Sequence, residues 1–190
     1  MKTGLFFGSF NPVHVGHLII ANFMATQTDL KEVWFVVSPQ NPFKKKKSLA
    51  KDYDRLHLVR LAIDQNARLK VTDIEFSMPK PSYTIDTLTY LREKYPKRSF
   101  VLIMGGDNVH TFDRWKNYEQ ILAGYEVYVY KRPDTTIEAF AGHPKFSFFE
   151  APQMNISATY IRKCIANKKS IRYLVTEPVH AYIENSNLYR

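Results

Sequence analysis

Short runs rich in β-branched and aromatic residues alternate along this chain with longer segments of helical period, and no other feature constrains the fold as much. TGLFF precedes VGHLIIANFMATQ, EVWFVVS precedes YDRLHLVRLAIDQ, and LKVTDIEF precedes TIDTLTYLREKY; SFVLIMG and EVYVYKR follow as further strands. Within the helical segments, Leu56, Val59 and Ile63 fall on one face, and Ile85, Leu88, Leu91 and Tyr95 form a second stripe. Strands that alternate with helices imply a parallel sheet with helices on both faces. The apolar runs Phe35-Val36-Val37 and Val101-Leu102-Ile103 suit strands buried on both sides. The expectation is an α/β fold, a doubly wound parallel sheet in a single domain over residues 1–190. After FSFFEA it ends in a small C-terminal helical part, with helices beginning near Ser157 and Pro178.

Composition sets bounds around that expectation. A chain of 190 residues with 45% hydrophobic residues can bury one substantial core and is short for two. The one cysteine, Cys164, has no partner for an internal disulfide. No apolar run approaches the roughly 20 residues of a membrane span. These features predict a soluble, cytoplasmic protein with no membrane partner. The net charge of +9 favours anionic partners without choosing among nucleic acid, acidic lipid and polyphosphate. The basic run Lys44 to Lys47 is one short loop, and no RNA-recognition or zinc-knuckle signature accompanies it. A non-catalytic nucleotide or nucleic-acid binding protein is the alternative from a different class. Oligomeric state, including a homo-oligomer, stays open.

Ligands on parallel sheets bind at the carboxyl ends of the strands, so three loops carry the chemistry: residues 8–17, 38–47 and 105–115. The first reads Gly8-Ser9-Phe10-Asn11-Pro12-Val13-His14-Val15-Gly16-His17 and runs from a strand into a helix. Gly8 offers backbone freedom, the Ser9 and Phe10 amides can point at a phosphate, and a helix start near Val15 adds a positive dipole end. His14 and His17, three residues apart, can present both rings to one side, while Gly16 leaves the first turn open to a ligand. Metal binding is disfavoured, because no Cys or carboxylate lies in the loop.

A second anion site is predicted near the end of the chain. In Ile156-Ser157-Ala158-Thr159-Tyr160-Ile161-Arg162, Ser157 is a good N-cap, and Thr159 and Arg162 share a helix face where Arg can grip two phosphate oxygens.

The first string resembles the Gly-x-Phe-x-Pro-x-His-x-Gly-His signature of the nucleotidylyltransferase superfamily at Gly8, Phe10, Pro12, His14, Gly16 and His17. The second resembles that superfamily's Ile-Ser-x-Thr-x-Ile-Arg motif, with Ala158 where Ser is frequent. The resemblance implies a Rossmann-like nucleotidylyltransferase fold and adenylyl transfer from ATP. His14, His17 and Arg162 would be its catalytic residues. Gly8, Ser9, Phe10, Gly16, Ser157 and Thr159 would join them around ATP, with Mg²⁺ bound mainly through the phosphates.

Pro81-Ser82-Tyr83-Thr84-Ile85-Asp86-Thr87-Leu88 resembles a segment of the bacterial nicotinate-nucleotide adenylyltransferases. There the helix start at Tyr83 and Thr84 would receive the nicotinate carboxylate, for which a helix N-terminus is better suited than for a neutral amide. By the same resemblance, Gly106 and Asp107 lie at the nucleotide ribose, with Ser9 also against the acceptor. Trp115, within a short helical stretch, stacks on the pyridine ring. Lys44 is the favoured phosphate contact of the lysine loop, where Phe43 stands in place of the family's customary His. The implied reaction joins ATP and nicotinate mononucleotide into nicotinate adenine dinucleotide, releasing pyrophosphate. Nicotinamide mononucleotide or another phosphate is the alternative acceptor.

Overall fold

Residues 1–39, 49–131, 139–152 and 154–190 are described by a computed structural model. Six strands form one sheet: β1 (Lys2–Gly8), β2 (Glu32–Val37), β3 (Leu69–Thr72), β4 (Ser99–Gly105), β5 (Glu126–Tyr130) and β6 (Phe146–Phe149). Every pairing is parallel and the spatial order is β3-β2-β1-β4-β5-β6. Parallel neighbours need long crossovers. Helix α1 (Val15–Gln27) carries the chain from β1 to β2, α2 (Asp52–Ile63) from β2 to β3, and α3 (Thr84–Lys94) from β3 to β4. Helices α4 (Gly106–Val109) and α5 (Tyr118–Gly124) lie between β4 and β5, and α6 (Ala158–Ala166) and α7 (Glu177–Glu184) complete the chain.

Side chains alternate across each strand, so neighbours in sequence enter different cores. Phe6, Phe35 and Ile103 join Met24 of α1, Leu56 and Val59 of α2, Ile161 of α6 and Val179 of α7 on one face. Leu5, Val36 and Leu102 join Leu88 and Leu91 of α3 and Ile121 of α5 on the other. Burial on both faces explains why the central strands lack a polar side. Among the described residues, no helix is long and apolar enough to cross a membrane.

Two local expectations are corrected. LKVTDIEF is not one strand: β3 stops at Thr72, and Ile74–Ser77 is a 3-10 turn. Its Glu75, which alternation would place opposite Ile74, is instead buried beside it. Trp115 lies outside any helix, in extended backbone (φ −74°, ψ 143°) between the 3-10 turn Phe112–Arg114 and α5.

The order of strands reverses between β1 and β4. From β1 the chain moves outward to β2 and β3, then returns to place β4 on the opposite side. The connections leaving Gly8 and Gly105 therefore diverge, opening a crevice at the carboxyl edge where such sheets take nucleotides.

Candidate active site

The loop after β1 is shaped by ring packing. Gly8 does not have a positive φ; the left-handed residue is Phe10 (φ 44°), which corrects the role expected for Gly8. A Cβ on Gly8 would lie 2.7 Å from the Phe10 ring, so glycine is needed there for close approach. Phe10 is buried and meets Phe6, Phe35 and His17 with ring centroids 5.8, 5.1 and 5.1 Å apart. Its side chain therefore sets the wall against which His17 stands.

His14 caps α1 in extended backbone, and its N–H donates to His17 Nδ1 at 3.2 Å. The two rings stack, with centroids 3.7 Å apart and planes inclined by 29°. Because Nδ1 of His17 accepts, the proton of its neutral ring belongs on Nε2. His14 is buried, its Nδ1 has no partner, and burial pushes its pKa down to about 4. Two stacked imidazoles can share this space because His14 is neutral near pH 7. A Cβ on Gly16 would come 3.1 Å from His14 Nδ1, so this glycine also accommodates a ring. The Val15 amide donates to the Leu174 carbonyl at 3.0 Å and is thus occupied within the protein.

Ser157 caps α6, its hydroxyl accepting from the Tyr160 amide at 3.2 Å. Arg162 donates to Thr159 Oγ1 at 3.3 Å and to the Asn11 carbonyl at 2.7 Å. That second bond spans 151 positions and joins the loop after β1 to α6. Asn11 is buried, and its Oδ1 also accepts from the Ala50 amide at 3.0 Å. One residue thus links the first loop to α6 and to the segment entering α2.

Beside this arrangement lies a cleft of about 320 Å³, bounded by Phe7, Gly8, Ser38, Glu75, Ser82, Tyr83, Thr84, Asn108, Arg114, Trp115 and Lys116. It brings Gly8, Tyr83, Thr84 and Trp115 into one space. Trp115 is half-buried and tilted against Phe112 at 5.4 Å. Tyr83 is the N-cap of α3 and supplies no side-chain cap. Lys116 Nζ sits 4.5 Å from the Tyr83 ring centroid and 3.0 Å from Asp86. Asn108, rather than Asp107, is a wall of the cleft. Asp107 is exposed on α4, where a Cβ on Gly105 would meet its Oδ1 at 2.6 Å. Gly106 is the first residue of that helix and is buried. Lys44 lies outside the described residues.

Sequence reasoning missed Arg55 and Glu75. Arg55 is fully buried and donates to the carbonyls of Ser9, Ser38, Pro39 and Ala50 and to the Asp52 carboxylate. It fastens the loops after β1 and β2 to the start of α2. A signal existed: Arg55 stands four residues before Val59, on the apolar stripe of α2. Glu75 had none, since a strand pattern covered it. Burial raises its pKa, while hydrogen bonds from Thr87, Ser82 and Ser38 oppose that rise.

Comparison with known proteins places this geometry in a family. The Cytidylyltransferase-like family profile matches residues 5–164, from β1 into α6. A Cytophaga hutchinsonii protein named "Probable nicotinate-nucleotide adenylyltransferase" is 57% identical over 189 residues, spanning 100% of this chain and 98% of its own length. A Flavobacterium psychrophilum protein of the same name is 51% identical, with 100% of both chains covered. Among solved structures, Plasmodium falciparum nicotinic acid mononucleotide adenylyltransferase complexed with NaAD superposes with a TM-score of 0.83 at 20% identity. That match covers 99% of this chain and 97% of the other, and at such identity it supports the fold. A strand order that opens its crevice between β1 and β4, a loop after β1 joined to α6 through Asn11, and full-length similarity together make this chain a member of the nicotinate-nucleotide adenylyltransferase family.

Proposed function

We propose that this chain transfers the adenylyl group of ATP to nicotinate mononucleotide, forming nicotinate adenine dinucleotide and pyrophosphate in NAD biosynthesis. The observation that carries the acceptor is the shared cleft: the uncapped start of α3 and the Trp115 indole open into the same space as Gly8, where the phosphate loop begins. An uncapped helix start suits a carboxylate, and an indole suits an electron-poor ring.

In the direct reaction, an acceptor phosphate oxygen attacks the α-phosphorus of ATP. The new O–P bond forms as the α–β bridging bond breaks, and its electron pair leaves with pyrophosphate. The nucleophile is already ionised, so alignment and charge neutralisation are the protein's tasks. His17 donates from Nε2, and His14 holds the His17 ring in place through stacking and its backbone N–H. Arg162, anchored on Asn11, faces the triphosphate with Ser157 and Thr159, and Lys44 engages phosphate from the lysine loop. Ser9, Gly106 and Asp107 line the nucleotide path. No group of three or more His, Cys, Asp or Glu side chains converges among the described residues. Mg²⁺ held through the triphosphate oxygens, the hard ligands it prefers, would supply charge neutralisation there.

Initial rates of pyrophosphate release with nicotinate and nicotinamide mononucleotides test the reading. Faster turnover of the nicotinate compound is expected. A preference for the nicotinamide compound refutes the assignment of the α3 start to a carboxylate.

A further inference from the structure

Glu75 is a buried carboxylate in the wall of the acceptor cleft, only 2% exposed, and the adenylyl transfer just described does not use it. Its Oε2 accepts from the Ser82 hydroxyl at 2.8 Å and its Oε1 from the Thr87 hydroxyl at 2.8 Å. The Ser38 side chain, just beyond β2, adds a third hydrogen bond. All three partners are neutral hydroxyls. Ser82 and Thr87 stand on either side of Tyr83 and Thr84, so the carboxylate grips the start of α3 from both flanks.

That start has no cap of its own. Tyr83 offers no side-chain acceptor, and the Tyr83 carbonyl is occupied by the Asp86 and Thr87 amides. A helix terminus without a capping side chain depends on its surroundings for orientation. Here the 3-10 turn Ile74–Ser77 provides it, by directing Glu75 inward rather than along a strand.

We propose that Glu75 is the positioning residue of the acceptor site. By clamping Ser82 and Thr87 it aims the Tyr83–Thr84 edge of α3 into the cleft, and so sets the preference for an acidic pyridine ring over its amide. This inference rests on the reading of the cleft as the nicotinate mononucleotide site. The selectivity follows from geometry: a carboxylate gains more from aligned amide donors than a neutral carboxamide does, because hydrogen bonds to charged groups are about twice as strong.

The test compares wild type, Glu75→Ala, Glu75→Gln and Thr87→Val, with KM and kcat measured for both mononucleotides and for ATP. Glu75→Ala should raise KM for nicotinate mononucleotide about tenfold, the equivalent of one charge-assisted hydrogen bond, and lower the nicotinate-to-nicotinamide ratio of kcat/KM by a similar factor. KM for ATP should stay within about twofold. Glu75→Gln should restore most of the preference, since both hydroxyls can accept as well as donate. Thr87→Val removes one strand of the clamp and should give an intermediate loss, which keeps the test valid if Glu75→Ala fails to fold. Equal changes in both KM values, an unchanged acceptor ratio, or a Gln variant as impaired as Ala overturns the proposal while wild-type activity stands. A wild-type protein inactive with nicotinate mononucleotide overturns the functional reading and this inference together.

Discussion

Acidification should unfold this protein partly through His14. In the unfolded chain this histidine titrates near 6.5, whereas burial lowers its pKa in the fold to about 4. Between those values the unfolded state binds more protons, so the stabilising contribution is complete above about pH 6.5 and is lost as pH falls toward 4. The shift corresponds to about 3 kcal/mol in full, of which about 2.5 kcal/mol is lost by pH 4.5. Urea unfolding at pH 8, 6 and 4.5, followed by tryptophan fluorescence, measures it in wild type and His14→Gln. The variant has no titrating ring, so its stability should fall less across that range by about 2.5 kcal/mol. Glu75 acts with the opposite sign: its raised pKa contributes stability at low pH that is lost as pH rises through the folded value. Both proteins retain Glu75, so the difference between their pH profiles isolates His14. Parallel profiles would show that burial of the ring does not hold His14 neutral.

Two further outcomes follow from the same geometry. His17→Ala should lower kcat by about two to three orders of magnitude, the range for losing one preorganised donor, while circular dichroism stays native; unchanged turnover removes His17 from the mechanism. Arg55→Leu strips a donor from four carbonyls and leaves Asp52 without this partner, so it should destabilise the fold by about 3 to 5 kcal/mol in urea titrations. A loss below about 1 kcal/mol would mean that water satisfies those carbonyls readily.

Much of the architecture was legible before any coordinates. The helical segment beginning at Val15 and ending at Gln27 matches α1, and the apolar stripes of α2 and α3 point where periodicity directed them. Ser157 caps α6, as its short polar side chain before an amphipathic run implied. Such features arise between residues within a turn of one another, and their signals sit in one window of sequence. The misreadings arose where side-chain packing overrode a local pattern. DIEF alternates like a strand, yet Glu75 turns inward to hydroxyls from beyond β2 and around the α3 start. Gly8 looked like a hinge, whereas it is small because the Phe10 ring closes over it.

Periodicity, capping and short-range spacing act along the chain, so the α/β alternation, the strand-to-helix turn before Val15, the Ser157 cap and the helix start at Thr84 were all legible in the sequence. Only the packed fold brings Arg162 to the Asn11 carbonyl, lets Arg55 gather two strand-end loops, and sets Glu75 in the wall of the cleft beside Tyr83 and Thr84. Buried polar groups must find partners wherever the fold supplies them, and that matching depends on which distant segments the sheet order brings together.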